Sequence, residues 1–200
     1  MQITIPCATY VRHAEFTLSG ENWYKTIRYD NGKLISIDQH GYLMVVEKID
    51  GPEGLVQLKS DQATIDVCKQ QAELGADLII DVSEESKWAT GYTSHGVVIS
   101  DNMGVWDIEG SNKSDLWRKV VDKIAKPPKE VEYGMFWTRS TLEGLAIVAP
   151  TGNLLFEKLL GFGGRPTLVT DMGEPNWFAV LQPWKMPEHP KQPKLPDWLS

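Results

Sequence analysis

The stretch Ser60-Asp-Gln-Ala-Thr-Ile-Asp-Val-Cys-Lys-Gln-Gln-Ala-Glu-Leu-Gly-Ala-Asp-Leu-Ile-Ile-Asp-Val82 decides the reading of this chain. Ile65, Cys68 and Ala72 recur at spacings of three and four, which puts them on one face of a helix. Ser60 stands where a cap belongs, and Gly75 can take the left-handed conformation that ends a helix. The spacing predicts a helix over residues 60 to 75, then a strand from Leu78 to Val82. Further short strands follow at Lys87 to Tyr92, Gly96 to Ser100 and Gly104 to Ile108, separated by Ser/Glu, Ser-His and Asp-Asn turn chemistry. Connections this short permit only antiparallel neighbours, so one apolar helix stripe should lie over one side of an antiparallel sheet.

Toward the N-terminus, Trp23, Ile27 and Tyr29 and then Leu34, Ile35 and Ile37 flank Asp30-Asn31-Gly32. Asn-Gly between β-prone runs signals a hairpin, because a type I′ turn needs positive φ at both central residues. Another strand, Tyr42 to Ile49, follows, and Gly51-Pro52-Glu53-Gly54 closes it as a loop. The first fifty residues thus read as strands. Toward the C-terminus the helix-then-strands order recurs, with a helix at Thr141 to Val148 closed by Pro150 and strands at Thr167 to Thr170 and Trp177 to Leu181. Pro127-Pro128 marks a linker, and Pro187, Pro190, Pro193 and Pro196 describe an extended tail that can neither pair in a sheet nor continue a helix. The expected class is α+β, built from repeated helix-plus-antiparallel-sheet units, with units over 1–126 and 127–186 and a proline-rich tail over 187–200.

Composition narrows the functions. Two hundred residues, 42% of them hydrophobic, suffice for a sizeable core. Acidic residues number 27 against 20 basic ones, a formal charge of -7, so the molecule as a whole repels a phosphate backbone and any nucleic-acid contact needs a local patch. No run of about 18 apolar residues exists to span a bilayer, and Met1 to Pro6 is short and uncharged for a secretory signal. The expectation is a soluble, cytoplasmic protein without a membrane partner.

Cys7 and Cys68 are the two cysteines and belong to no metal-ligand or disulfide framework, which leaves them as packing residues. His13, His40, His95 and His189 lie far apart, so no metal site and no cofactor are expected. Asp38 with His40 could pair as base and orienter, but chance alone also puts two such residues at alternate strand positions, and a turn-stabilising role is the better reading. Gly161-Phe162-Gly163-Gly164 lacks the lysine-serine pair of a phosphate-binding loop. Glu84-Glu85 offers no spaced acid/base couple. The residues point to a protein that is not an enzyme.

Three segments, in order, resemble the bacterial sliding clamp family, the DNA polymerase III β subunit. Ile35 to Leu43, with Asp38 and His40, is similar to the family's Ala-Thr-Asp-Gly-His-Arg-Leu strand-turn-strand. Trp106-Asp107-Ile108-Glu109-Gly110, followed by Asp115-Leu116-Trp117-Arg118-Lys119-Val120-Val121, is similar to the Leu-Ile-Asp-Gly … Pro-Asp-Tyr/Trp signature that joins one repeat to the next, although both prolines are missing. Phe178 to Lys185 resembles the terminal Val-Ile-Met-Pro-Val-Arg. A short, diverged member, viral in origin, is what the resemblance implies.

By the same resemblance the chain would act in DNA replication as a processivity or scaffold protein, assembling as a homo-oligomer and docking replication proteins through short linear peptides. Val180, Leu181, Pro183 and Trp184 would line the partner cleft. Gln192, Leu195, Trp198 and Leu199 follow the order of the peptide motif that clamp-binding proteins insert. One feature departs from the family: the predicted helices carry little positive charge, whereas a ring on duplex DNA needs basic helices. The basic residues gather instead at Lys113, Arg118, Lys119, Lys123, Lys126 and Lys129, as a DNA-binding patch or a solvated linker face. The alternative function is a non-ring interaction module that binds and blocks a host or replication protein or a small ligand.

Overall fold

The computed structural model describes residues 1–18, 26–37, 43–83, 85, 88–106, 139–157 and 167–181. In them the chain runs β1 (Gln2–Pro6), α1 (Cys7–Leu18), β2 (Thr26–Asp30), β3 (Lys33–Ile37), β4 (Leu43–Lys48), β5 (Leu55–Lys59), α2 (Gln62–Ala72), β6 (Asp77–Val82), β7 (Trp88–Thr93), β8 (Val98–Trp106), α3 (Arg139–Val148), β9 (Leu154–Glu157), β10 (Thr167–Asp171) and β11 (Glu174–Leu181). The order strand, helix, three strands therefore occurs twice in succession, from β1 to β4 and from β5 to β8. A third helix with three strands follows.

All pairings are antiparallel, in one sheet of order β1-β6-β7-β8-β5-β2-β3-β4-β11-β10-β9. Each repeat lends its first strand to the other: β1 lies beside β6, and β5 lies beside β2. Neither repeat completes its sheet alone, so the two fold as one unit. The α+β expectation holds in its broad form, a large antiparallel sheet with three helices.

Local chemistry explains the elements that were legible. Asp61, rather than Ser60, caps α2, its Oδ1 accepting from the Thr64 backbone N–H at 2.9 Å. Gly75 has φ +71°, and the Gly75 and Ala76 N–H groups donate to the carbonyls of Ala72 and Gln71, which satisfies the last turn. Asn31 and Gly32 have φ of 48° and 75° and join β2 to β3 as the Asn-Gly pair predicts.

Four expectations need correction. Residues 7–18 form a helix, not a strand: Cys7, Tyr10, Val11, Ala14 and Thr17 are buried at helical spacing, and this apolar stripe overrides the β-prone Thr, Tyr, Val and Phe residues. The first repeat is thus a complete unit half, not strands alone. The two strands expected over 96–108 are one, β8, because Asp101-Asn102 is absorbed into a strand whose pairing with β7 shifts register near Gly91. Finally, β5 and β9 were not foreseen.

The buried side chains form two cores on the helix-bearing side. Ile3, Ile5, Ile27, Leu58, Leu78 and Ile80 pack with Tyr10, Ala14, Ile65 and Cys68 of α1 and α2. Phe16 of α1 and Leu145 and Val148 of α3 pack with Leu43, Val45, Trp177, Ala179 and Leu181. Among the described residues no helix covers the opposite face, where Ile35, Met44, Val46 and Val180 form a third cluster.

Candidate functional site

The seam between β4 and β11 brings together residues more than a hundred positions apart. Glu47 faces Trp177, Met44 faces Val180 and Leu43 faces Leu181. Successive strand side chains point to opposite faces, so Val180 and Leu181 diverge. Leu181 sits in the helix-side core, fully buried. Val180 joins Ile35, Met44 and Val46 on the other face, flanked by the half-buried Ile37 and Phe178. That cluster is itself buried, with Ile35, Met44, Val46 and Val180 each 5% exposed or less, at the place where the first unit's sheet continues into the last three strands. Pro183 and Trp184 lie outside the described residues, as do Gln192, Leu195, Trp198 and Leu199.

The helix surface carries charge that is already matched. Arg12, Lys69 and Arg139 are the lysine and arginine residues of the three described helices. Lys69 Nζ meets Glu15 Oε1 at 2.6 Å, Arg12 Nη2 meets Glu47 Oε1 at 2.9 Å, and Arg139 Nε meets Glu143 Oε1 at 2.6 Å. Asp66 and Glu73 add negative charge near α2, and α3 exposes Leu142 and Ile147. A surface of this kind has little to offer a phosphate backbone, because displacing counterions requires unneutralised cations. The basic residues Lys113, Arg118, Lys119, Lys123, Lys126 and Lys129 lie outside the described residues.

Beneath α1 is a polar network that the sequence did not announce. His13 is fully buried, its Nδ1 2.9 Å from Ser36 Oγ and its Nε2 3.2 Å from Glu47 Oε2. Arg12 Nη2 donates to both Glu47 oxygens, and Thr9 Oγ1 donates to Oε1 at 3.1 Å. Burial works against the Glu47 carboxylate, but the His13 hydrogen bond and the Arg12 charge outweigh it and hold the carboxyl below its ordinary range. Serine, histidine and carboxylate in a row look like an activated nucleophile. Ser36 is only 1% exposed, so a substrate could not reach its hydroxyl. The network instead fixes the rotation of α1 against β3 and β4.

Other candidate groups fall elsewhere. Asp38, His40 and Gly161 to Gly164 lie outside the described residues. His95 is exposed on the turn before β8. Among the described residues no group of three His, Cys, Asp or Glu side chains is placed to hold a metal, and no helix is long and apolar enough to cross a membrane. Asp171 accepts from the backbone N–H groups of Thr151, Gly152 and Gly173 and from the Thr151 hydroxyl. It ties the turn before β9 to the β10–β11 turn and leaves no lone pair for other chemistry.

No protein-family model matches the sequence, and no curated protein matches it. Solved structures do. The chain is similar to the DNA polymerase III β subunit of Caulobacter crescentus, with a TM-score of 0.55 at 16% identity over 92% of this chain. It is equally similar, at TM-score 0.55 and 13% identity over 92% of the chain, to the Bartonella birtlesii sliding clamp solved with griselimycin. The Pseudomonas aeruginosa clamp solved with a ligand gives TM-score 0.53 at 11% identity over 93%. In each case the match spans 66% of the clamp's own length. The three are bacterial proteins and lend nothing to a viral source. At such identities the likeness establishes fold alone: this chain has the fold of the bacterial sliding clamps.

Proposed function

We propose that this chain is a clamp-like scaffold of DNA replication, non-enzymatic, which works by binding partner proteins. The observation that carries this reading is the β4–β11 seam, which continues one antiparallel sheet between two units, keeps the helices on one face and packs a buried apolar cluster, edged by the half-buried Ile37 and Phe178, on the other. One clamp of this fold was solved with griselimycin, and another with a polyethylene glycol at a putative β-motif tethering region, which supports a peptide-binding role. The units over 1–126 and 127–186 and the tail over 187–200 belong to this proposal, as does homo-oligomeric assembly.

Partner peptides would dock against the half-buried Ile37 and Phe178 that flank Val180, with Pro183 and Trp184 extending the site, and the Gln192–Leu199 tail motif would compete for it. Leu181 supports the site from the core side rather than lining it. Deleting residues 188–200 is expected to raise affinity for a Gln-x-x-Leu-x-x-Trp-Leu peptide about tenfold by removing a tethered competitor. Titration of a fluorescent peptide into the intact and truncated proteins checks this. Equal affinities, together with identical sedimentation, would refute the tail's role.

Duplex DNA, if bound, would be held by Lys113, Arg118, Lys119, Lys123, Lys126 and Lys129, since the cations of the described helices are already paired. Fluorescence anisotropy with a short duplex should show affinity falling steeply between about 50 and 200 mM salt. The triple variant R118A/K119A/K123A should abolish binding. Unchanged affinity would assign the cluster to a solvated surface.

The matched charge and exposed Leu142 and Ile147 of the helix surface favour a second reading, in which the fold serves as a non-ring module that binds and blocks another protein. Sedimentation equilibrium separates the two, because a ring requires a closed oligomer. A monomer at all concentrations supports the module.

A further inference from the structure

The sheet ends on an open edge. β1 is its outermost strand and is paired on one side only, by β6. Met1 and Val82 exchange both backbone hydrogen bonds, and at the other end of the pair the Cys7 N–H donates to Ala76 O. Bonding alternates along an antiparallel pair, so Ile3 and Ile5 bond to β6 while the N–H and C=O groups of Gln2 and Thr4 point to the free side. Among the described residues nothing pairs with that side, and Gln2, Thr4 and Pro6 are exposed. Edge strands are ordinarily guarded by a lysine, an internal proline or a bulge. From Gln2 to Ile5, β1 has none of these, and Pro6 only closes its end.

The charge beside this edge selects its occupant. Ile3, Ile5, Leu78, Ile80 and Val82 lie in the helix-side core, so Gln2, Thr4, Asp77 and Asp81 share the opposite face. Gln2 lies opposite Asp81, and Pro6 lies opposite Asp77. Gln2 Nε2 donates to Asp81 Oδ1 at 3.0 Å, and among the described residues neither carboxylate is in an ion pair. Strands β1, β6, β7 and β8 contain no lysine or arginine. A second copy pairing β1 against β1 would bring like carboxylates together on molecules of formal charge -7. A cationic partner relieves the same charge. We propose that the free edge of β1 is a docking site for an extended basic peptide of a partner protein, which adds to the sheet as a new edge strand. The edge is separate from the β4–β11 seam, so the proposal does not rest on the clamp reading.

The fold also sets the spacing of the peptide's charges. An added strand lies about 10 Å from β6, two strand spacings away. Lysine and arginine are long enough to lie across β1 and reach the aspartates, and shorter side chains are not. Asp77 and Asp81 are four residues apart on one face of β6. Two cations four residues apart in the peptide therefore meet both, whereas a spacing of three sends one of them to the opposite face.

The experiment takes the full chain with no added N-terminal segment and two fluorescein-labelled peptides of one composition, Thr-Lys-Val-Thr-Val-Lys-Thr and Thr-Lys-Val-Thr-Lys-Val-Thr. Fluorescence anisotropy should give a Kd of about 100 µM for the first, with binding of the second weaker by at least about fivefold. Asp77→Asn with Asp81→Asn should weaken the first peptide about tenfold and remove its salt dependence. Thr4→Pro removes a donor that faces the edge rather than β6, so it should abolish binding while the protein stays folded. In the wild type, amide exchange at Gln2 and Thr4 should slow about tenfold at saturating peptide. This last measurement decides the matter even where a variant fails to fold. Equal affinity for the two peptides, full affinity in either variant, or unprotected Gln2 and Thr4 amides would overturn the proposal. A dimer in sedimentation that Thr4→Pro dissolves would also overturn it, by assigning the edge to a second copy.

Discussion

Glu47→Ala is expected to destabilise the protein by about 3 kcal/mol, because it strips the shared partner from Arg12, Thr9 and the buried Nε2 of His13, leaving the imidazole only its contact with Ser36. The carboxylate is 6% exposed and serves Arg12, Thr9 and His13 together. Arg12 is partly exposed and can turn to water, which keeps the cost at the lower end of the range for broken buried pairs. His13 cannot. In urea the midpoint should fall by about 1–2 M with little change in slope.

The pH dependence has a definite sign. The folded pKa of Glu47 is depressed below its ordinary value of 4.5, so its contribution is full above that value and is lost as pH falls through the lower folded value. The stability difference between wild type and Glu47→Gln should therefore be constant above about pH 5 and shrink below about pH 4.5. A difference that stays flat down to pH 3, or a loss in Glu47→Ala of under about 0.5 kcal/mol, would show that the network is not coupled to folding.

Gly104→Ala should be as damaging for a different reason. A Cβ there would lie 2.3 Å from the Gln57 carbonyl oxygen and 3.1 Å from Leu58 Cα, both backbone atoms of β5. No rotamer relieves such a clash, so β8 must move away from β5. That pairing, Gly104 opposite Leu58, joins the four strands β1-β6-β7-β8 to the rest of the sheet. The expected loss is about 3 kcal/mol or more, with faster amide exchange concentrated in β5 and β8. Gly91→Ala is the control. Its Cβ would also come within 2.3 Å of a neighbour, but that neighbour is the Met103 side chain, which can rotate, and the cost should be nearer 1 kcal/mol. Equal losses in the two variants would mean that the β5–β8 approach is not the constraint it looks to be.

Sequence reasoning succeeded where the determinants are local. The α2 stripe, Gly75 at its stop and the Asn31-Gly32 turn each need only neighbouring residues to act, whereas the cap falls on Asp61, one residue after Ser60. It failed at α1, where no Ser, Thr, Asp or Asn cap announces the helix. Pro6 leads directly into Cys7, whose N–H is satisfied by Ala76 O, a group from β6's approach. The signal that would have found α1 is the recurrence of Cys7, Tyr10, Ala14 and Leu18 at spacings of three and four. In β8, Asp101-Asn102 carries turn chemistry that the bulged pairing with β7 overrides. The resemblance to clamps, drawn from three segments, pointed to the fold that the solved structures share.

By itself the sequence determined the class of the protein: an antiparallel, helix-on-sheet architecture with helices poor in positive charge, because periodicity, turn residues and charge are properties of short windows. Only the tertiary structure decided that β1 and β5 change places between repeats, and that β4 meets β11. It alone sends Val180 and Leu181 to opposite faces of one sheet, gathers His13, Ser36 and Glu47 under α1, and places Cys7 and Cys68 in one core. Each of these depends on which strand edge and which helix face find one another, and that choice is made by the burial of the whole apolar surface at once, not by any residue's neighbours along the chain.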